Sequence, residues 1–142
     1  MIVVKKEILI NTGLEKVYRV AETYPCFVDG YKEKNILYQD DIKLNVKVTS
    51  TVFGLPLKWT GEGIKIKNKE INFIQKQGPL RGLEARWYFE KINGKTKVSI
   101  EARFKSDSML MRLFEFCIAE FFVKKTLQRI LKSLKDKAEE KS

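Results

Sequence analysis

Histidine is absent from the 142-residue sequence. A catalytic triad or a general base built on histidine is therefore excluded. Cysteine is scarce as well, because only Cys26 and Cys117 occur and they are far apart in the sequence. Two such cysteines cannot by themselves supply the ligands of a zinc site, and we expect both to be free thiols in a reducing cytosol. We therefore predict neither a metal site nor a cofactor.

A long uninterrupted hydrophobic run is also lacking. The opening segment MIVVKKEILI is too short for the apolar region of a signal peptide and contains three charged residues. The most apolar stretch, residues 109–123, is shorter than the roughly 20 residues that a bilayer-spanning helix needs. Charged residues interrupt this stretch too. These features predict a cytoplasmic protein and leave peripheral contact with a membrane open.

Basic residues are in excess, with 28 Lys and Arg against 18 Asp and Glu and a net charge of +10. This charge permits attraction to nucleic acid or to an anionic membrane, but it concerns encounter and not fold. Lys125, Arg129 and Lys132 recur at helical spacing and form a basic stripe. Two interpretations stay open: a solvated face favoured by the helix dipole, or a face that binds RNA, a ribosome or lipid headgroups. The abundance of Lys, Glu and Ile with little Gln is typical of thermophiles.

The segment from Ser108 to Lys137 predicts one long helix. No Gly or Pro interrupts it, and Ser106, Asp107 and Ser108 offer oxygens that could cap its N-terminus. Apolar residues recur along it at helical spacing. Because its first half is apolar on most of its circumference, this helix needs a wide apolar surface to pack against. The charged tail at 138–142 is expected to fray.

The chain before this helix predicts mainly strands. A first strand over Ile2–Ile10 is followed by two short helices, one opened by the capping-box residues Thr12 and Glu15 and one starting at Pro25. The following segments alternate apolar and polar residues, which indicates half-buried strands. These six strands, joined as an antiparallel meander, span residues 34–38, 44–52, 57–67, 70–77, 83–90 and 97–104.

This order of elements predicts an α+β fold in a single domain over residues 1–142. We expect a seven-stranded antiparallel curved sheet, apolar on one face, wrapped around the C-terminal helix. Asn93-Gly94 indicates a two-residue hairpin. Gly61 and Gly63 predict a bulge or kink at which the inward-facing set of the strand changes phase.

The sequence contains Tyr24-Pro25-Cys26-Phe27 after its first predicted helix. Further along it contains Gly78-Pro79-Leu80, Leu83, Trp87-Tyr88-Phe89, Lys97-Val98 and Phe104. Together these motifs resemble the coenzyme Q-binding, polyketide cyclase-like branch of the START superfamily, which carries Tyr-Pro-x-Phe after its first helix. The sequence departs from the branch just after Phe27, where Gly30-Tyr31 replaces a frequent Pro-Trp.

The resemblance covers nearly the whole chain and implies the helix-grip fold. It also implies a cavity under the C-terminal helix that holds a lipophilic molecule such as a polyprenyl quinone or a lipid. The family includes quinone chaperones, cyclases and a member that associates with ribosomes, and likeness of fold does not choose among them.

Inward apolar side chains are expected either to line this cavity or to fill it as ordinary core. Thr60 and Glu62 lie where the phase of their strand is uncertain, and they are the candidate polar anchors. A buried Glu62 would serve either as a general acid or only as a hydrogen-bonding partner of a carbonyl. The expected lining residues are Val46, Val48, Trp59, Phe73, Trp87, Phe89, Ile100, Phe104, Phe114, Ile118 and Phe121.

Apolar turn tips are expected to meet at one end of the sheet, because alternate turns of a meander share an end. They predict either an entrance that contacts a membrane through apolar tips and a basic rim, or a plug that closes the cavity. The residues concerned are Phe53, Leu55, Leu80, Arg81, Met109 and Arg112.

Taken together, the sequence predicts a non-enzymatic protein that binds a hydrophobic small molecule. The resemblance implies that this ligand is a polyprenyl quinone or another lipid and that the protein acts as a carrier or chaperone at the membrane surface. An RNA- or ribosome-associated module that uses the basic stripe is the alternative from another class. A polyketide cyclase-like enzyme ranks third, because the charged residues of the later strands alternate away from the expected cavity.

Overall fold

The computed structural model describes residues 2–52, 54–105 and 117–140. Strands and helices follow in the predicted α+β order, with the long helix last. The elements are β1 (Ile2–Ile10), α1 (Leu14–Ala21), β2 (Glu33–Gln39), β3 (Lys43–Val52), β4 (Leu55–Ile66), β5 (Glu70–Gln77), β6 (Glu84–Ile92), β7 (Lys95–Phe104) and α2 (Cys117–Ala138). The first part of the predicted helix, before residue 117, lies outside the described residues.

The strands form one antiparallel sheet in the order β1-β7-β6-β5-β4-β3-β2. Strands β2 to β7 follow one another as a meander, and β1 pairs with β7, with Ile2 opposite Phe104 and Ile10 opposite Thr96. The seven-stranded antiparallel sheet is thus confirmed. The hairpin between β6 and β7 is confirmed too: Asn93 and Gly94 have φ angles of 48° and 79°, as a two-residue type I′ turn requires.

The segment after β1 differs from the prediction in two ways. Helix α1 begins after Gly13 without a side-chain cap, and the Thr12 hydroxyl instead faces the carbonyl oxygens of Asn11 (2.8 Å) and Ala138 (3.1 Å). The predicted capping box is therefore not formed. No second short helix forms either, within the described part of the chain. Residues 22–27 make turns that allow both Tyr24 and Phe27 to enter the core.

The hydrogen bonds of these turns explain why the second helix is missing. The amide of Cys26 donates to the carbonyl of Thr23 at 2.7 Å, and that of Val28 donates to Pro25 at 3.0 Å. Both bonds span three residues, whereas an α-helix needs bonds that span four. The Tyr24-Pro25 peptide bond is cis. The prediction of two short helices was therefore wrong for the second one.

The C-terminal helix packs on β1, on α1 and on the apolar face of the sheet. Its inward side chains include Leu127, Ile130 and Leu134, which are almost completely buried. The helix end is attached to α1, because Ala138 is buried and the Lys16 ammonium donates to the Glu140 carbonyl at 2.8 Å. These contacts hold the first residues of the tail for which fraying was expected.

The predicted irregularity in β4 is present. Pairing with β5 shifts register between Thr60 and Gly61. At Gly63 a Cβ atom would lie 2.7 Å from the ring of Phe73, so only glycine leaves room for that ring. The glycine in the middle of the strand therefore serves close packing against the neighbouring strand.

The phase of β4, however, does not change as predicted. Trp59 pairs with Val48 and Lys65 pairs with Ile71, and both partners are fully buried. Cα partners in a ladder lie on the same face, so Trp59 and Lys65 both face inward. Ile64 faces outward and is 39% exposed. Alternation continues through the irregularity because the extra residue belongs to β5, where the pairing of Thr60 and Gly61 skips from Gln77 to Gln75.

Candidate ligand-binding site

A cavity of about 90 Å³ lies between the sheet and α2. The residues that surround it come from the turns after α1, the inward faces of β3 to β7, the loop after β5 and one face of α2. They are Tyr24, Val46, Leu57, Trp59, Gly61, Phe73, Ile74, Gln75, Pro79, Leu80, Leu83, Ala85, Trp87, Ala102, Phe122, Val123, Thr126, Leu127 and Ile130. Almost all of these side chains are apolar, so the cavity suits carbon-rich groups.

Aromatic rings form the inner wall of the cavity. The ring centroid of Tyr24 lies 5.1 Å from that of Trp87 and 5.2 Å from that of Phe73, and Phe73 lies 5.3 Å from Trp87. Tyr31 meets Trp59 edge-on at 5.6 Å. Such edge-to-face and tilted contacts are favourable beyond simple burial and hold each ring in one orientation. The wall is therefore a rigid aromatic surface.

The loop that follows β5 closes one side of the cavity. The side-chain oxygen Oε1 of Gln75 accepts a hydrogen bond from the amide of Leu80 at 2.7 Å. The backbone of Gln75 bonds to Gly82 and Leu83, each at 2.9 Å. Gly78 has a φ of 128°, and a Cβ there would lie 2.7 Å from Cβ of Trp59. Gln75 therefore holds Leu80 and Leu83 against the cavity, and Gly78 permits the chain to turn so close to Trp59.

Tyr24, which borders the cavity, pairs with a second tyrosine, Tyr31, which lies outside the lining. Tyr24 and Tyr31 are both buried, and their hydroxyl oxygens lie 3.4 Å apart. Burial raises the pKa of Tyr24 to about 12, against smaller opposing effects of Tyr31 and the Trp59 indole. Burial also raises the pKa of Tyr31 well above its usual value, while the nearby Arg129 guanidinium acts in the opposite direction. Both hydroxyls are thus neutral near pH 7 and able to donate hydrogen bonds.

Arg129 reaches this tyrosine pair from α2. Gly30, with a φ of 95°, leaves space for it: a Cβ there would lie 3.3 Å from the guanidinium carbon. Lys125, Arg129 and Lys132 of the predicted basic stripe are all exposed residues. The Lys125 ammonium lies 5.5 Å from the centre of the Phe121 ring. Two side chains of the stripe, those of Lys125 and Arg129, therefore interact with other residues of the same protein.

The predicted lining residues divide into four groups. Val46, Trp59, Phe73 and Trp87 surround the cavity. Phe121 does not surround it, because it is 55% exposed on the outer side of α2. The adjacent Phe122, one residue further round the helix, takes the inward position. Val48, Phe89, Ile100 and Phe104 are buried in the core without reaching the cavity, and the side chains of Phe114 and Ile118 lie outside the described residues.

The predicted polar anchors lie on the other face of the sheet. Thr60 pairs with Lys47 and Glu62 with Asn45, whereas the cavity residue Gly61 between them pairs with Val46. Because alternate residues of a strand point to opposite faces, Thr60 and Glu62 point away from the cavity. Their assignment as inward polar groups depended on the change of phase that β4 does not make.

The predicted entrance is described only in part. Leu80 borders the cavity, and Arg81 is exposed beside it. Of the remaining predicted residues, Phe53, Met109 and Arg112 lie outside the described residues, as does the side chain of Leu55. The role of this end as an entrance or membrane contact stays a prediction.

Sequence reasoning missed the tyrosine pair and Gln75. Tyr24 was noticed as part of a motif, but the turns that bring it to the cavity replace a helix that was predicted there. Tyr31 has no periodic signal, because it follows Gly30 in a loop. Gln75 lies in a predicted strand, where nothing in the sequence distinguishes it. Its role at the cavity depends on the register shift against β4 and on its hydrogen bond to the loop after β5, and both are tertiary features.

No helix in the described ranges, 2–52, 54–105 and 117–140, has the length and apolar character needed to cross a membrane. Within the same ranges, Asp, Glu and Cys side chains do not gather in a group that could hold a metal ion.

Comparison with known proteins places this geometry in context. Residues 15–135 match the model of the family described as polyketide cyclase / dehydrase and lipid transport. Among curated proteins, none matches the sequence.

Similar solved structures cover nearly the whole chain. A Thermus thermophilus protein, TTHA0849, is 16% identical with a TM-score of 0.85, over 96% of this chain and 97% of that one. The Zhui aromatase/cyclase from Streptomyces sp. R1128 is 13% identical with a TM-score of 0.80, over 97% and 93%. A START superfamily protein from Mycobacterium smegmatis is 15% identical with a TM-score of 0.74, over 96% and 97%. At these identities the likeness concerns the fold, and it confirms the predicted helix-grip architecture.

Proposed function

The chain belongs to the polyketide cyclase / dehydrase and lipid transport family, and from this premise we propose that it binds a lipophilic small molecule as a carrier or chaperone. The ligand is a polyprenyl quinone or another lipid with a flat head. The observation that carries the proposal is the cavity between sheet and α2, whose walls are apolar apart from a few groups such as Tyr24, Gln75 and Thr126. Burial of carbon in such a site contributes roughly 25 cal/mol per Å² before the costs of association.

The size of the cavity limits how the ligand binds. Its volume of about 90 Å³ is well below the roughly 300–1,000 Å³ of typical small-molecule sites. A ligand with a long chain therefore needs the cavity to widen. The loop 78–83 is the part of the wall that we expect to yield, because its three hydrogen bonds to β5 all go to one residue, Gln75: one from the Leu80 amide to its side chain and two between its backbone and Gly82 and Leu83. We propose that the head enters beside Leu80 and Leu83 and stacks near Trp87.

Binding is favoured over catalysis by the chemistry of the wall. Among the described lining residues, none carries a carboxylate or an ammonium group. The hydroxyl of Tyr24, with a pKa of about 12, donates hydrogen bonds well but exchanges protons poorly near neutral pH. A cyclase would need a group in the wall that exchanges protons in that range. Nothing in the described structure favours the RNA-binding alternative, which stays a prediction.

The test is a fluorescence titration with a short-chain ubiquinone analogue. Trp59 and Trp87 both border the cavity, so the quinone should quench tryptophan emission in a saturable way. Leu83→Phe fills the cavity and should weaken binding at least several-fold. Leu9→Phe is the matched control, because Leu9 is 45% exposed on β1, on the outer face, and it should bind like the unaltered protein. The absence of saturable quenching, or equal affinity of the two variants, would contradict binding in this cavity.

A further inference from the structure

The tyrosine pair at the cavity has more hydrogen-bond donors than acceptors. A tyrosine hydroxyl has one hydrogen to donate and an oxygen that accepts, whereas an indole N–H and a guanidinium only donate. Tyr24 and Tyr31 lie hydroxyl to hydroxyl at 3.4 Å, with the Trp59 indole beside Tyr24 and the Arg129 guanidinium near Tyr31. Four donor groups therefore surround two acceptor oxygens.

The hydrogens in this pair can be counted. One hydroxyl hydrogen forms the bond between the two oxygens, and the other needs a second acceptor. Among the described residues, the hydrogen bonds of Tyr24 and Tyr31 include no such acceptor. A buried polar group without a partner costs on the order of 1–3 kcal/mol, so folded proteins rarely leave one unsatisfied. The pair thus offers one more donor hydrogen than its described neighbours accept.

The position of Tyr24 shows where that hydrogen can be directed. Tyr24 borders the cavity, and Tyr31 lies behind it, toward Gly30 and Arg129. If Tyr31 donates to Tyr24, the remaining hydrogen is the one that Tyr24 can direct into the cavity. The Trp59 indole, which also lies beside the Tyr24 oxygen, can only donate a hydrogen bond to it. Both neighbours therefore leave Tyr24 free to donate to whatever occupies the cavity.

We infer that Tyr24 is the hydrogen-bond donor that recognises a carbonyl oxygen of the bound ligand, and that Tyr31 is the residue that positions it. The inference rests on the proposed function and narrows its ligand class to flat conjugated ketones and quinones, whose rings match the aromatic wall of Tyr24, Phe73 and Trp87. A hydrocarbon of the same shape fits the walls but leaves the donor unsatisfied. Rejection of such an analogue is the specificity that a buried donor confers.

The experiment compares two small probes of nearly equal shape, acetophenone and α-methylstyrene, which differ in C=O against C=CH₂. Binding is followed by the tryptophan indole N–H signals in ¹⁵N-edited NMR spectra of the full chain. The unaltered protein should bind acetophenone about 3- to 10-fold more tightly, the usual net effect of one hydrogen bond. Tyr24→Phe should remove this preference without weakening α-methylstyrene. Tyr31→Phe should reduce it, because the Tyr24 hydroxyl then lacks the hydrogen bond that holds it in place.

Tyr18→Phe is the matched control, because Tyr18 is as buried as Tyr24 but packs on Phe89 and does not border the cavity. The preference should survive in this variant. Infrared spectra of carbonyl-labelled acetophenone give a second readout: its C=O stretch should shift downward when bound to the unaltered protein and not when bound to Tyr24→Phe.

The outcomes separate the two hypotheses. If both probes bind the unaltered protein equally, or if Tyr24→Phe keeps the preference, the donor role of Tyr24 is wrong while binding in the cavity stands. If neither probe causes a saturable change, the proposed function itself is wrong, and the inference fails with it. Loss of the preference in Tyr24→Phe, together with its reduction in Tyr31→Phe and its survival in Tyr18→Phe, supports both.

Discussion

The two ends of the inward face of β4 lie in contrasting surroundings. At one end, Trp59 borders the cavity, beside the aromatic wall. At the other end, six residues or roughly 20 Å along the strand, the Lys65 side chain is only 2% exposed, and its ammonium contacts a carboxylate oxygen of Glu22 at 3.0 Å. The same face therefore holds space at one end and a partly buried ion pair at the other.

The difference shows that an inward position does not by itself make a ligand site. Around the ion pair, Leu44 and Ile71 are fully buried, and the end of α1 lies close to the sheet. At the cavity, the loop 78–83 and α2 lie far enough from the sheet to leave about 90 Å³. We call the first region the closed end and the second the open end. We expect the closed end to serve stability, and we propose that the ligand binds at the open end.

The largest expected effect comes from breaking the ion pair. Glu22→Gln leaves the buried Lys65 ammonium without its carboxylate. Because the Glu22 side chain is 29% exposed, the expected cost is at the low end of what the loss of one partner of a buried pair costs, about 3 kcal/mol. The free energy of unfolding, measured in urea, should fall by about that amount, while quinone affinity stays unchanged. Glu140→Gln is the control, because the ion pair of Glu140 with Lys137 is exposed, and such pairs contribute under about 1 kcal/mol. A loss of quinone affinity in Glu22→Gln would show that the two ends are coupled.

Gly61 and Gly63 of β4 differ in the space around them and provide a second test of the comparison. Gly63→Ala places a Cβ 2.7 Å from the Phe73 ring, and overpacking of this kind costs about 2 kcal/mol. Because Phe73 borders the cavity, quinone binding should weaken too. Gly61→Ala is the matched control: its nearest contacts are 3.6 Å away, so it should change the urea midpoint little. Equal effects of the two substitutions on the urea midpoint would mean that the Phe73 ring moves aside without a measurable cost in stability.

The pH dependence of stability gives a smaller effect. The pKa of Tyr24 is raised from 10.0 to about 12, so the neutral hydroxyl contributes stability fully below pH 10. This contribution is lost as the pH rises from 10 toward 12, by at most about 1.4 kcal/mol per pH unit. Tyr24→Phe should therefore lose less unfolding free energy over this range than the unaltered protein. Tyr88→Phe, at a half-buried position on the outer face of β6, is the control and should follow the unaltered protein. A Tyr24→Phe curve of the same slope as that of the unaltered protein would argue against a buried neutral hydroxyl.

The sequence predicted the sheet and the C-terminal helix better than it predicted the candidate site. Alternation along the strands and the Asn93-Gly94 turn are local signals, and they led to the sheet as it is observed. The prediction failed where tertiary packing decides the structure. Pro25 starts no helix because Tyr24 and Phe27 must both turn inward. On α2, the residue that faces the cavity is Phe122 and not Phe121. Helical spacing alone cannot fix the rotation of a helix that is apolar on most sides. The polar anchors were misplaced because the extra residue at the irregularity belongs to β5, so β4 keeps its phase.

The most direct test of ligand binding at the open end is to map where a quinone binds. Two-dimensional ¹⁵N-edited NMR spectra, recorded while decylubiquinone is added, report on both ends of β4 at once. Binding at the open end predicts saturable shifts of the Trp59 and Trp87 indole signals and of the Leu80 and Leu83 amides, with the amides of Leu44 and Lys65 nearly unmoved. Saturable shifts centred on Leu44 and Lys65, or no saturable shift at either end, would contradict it.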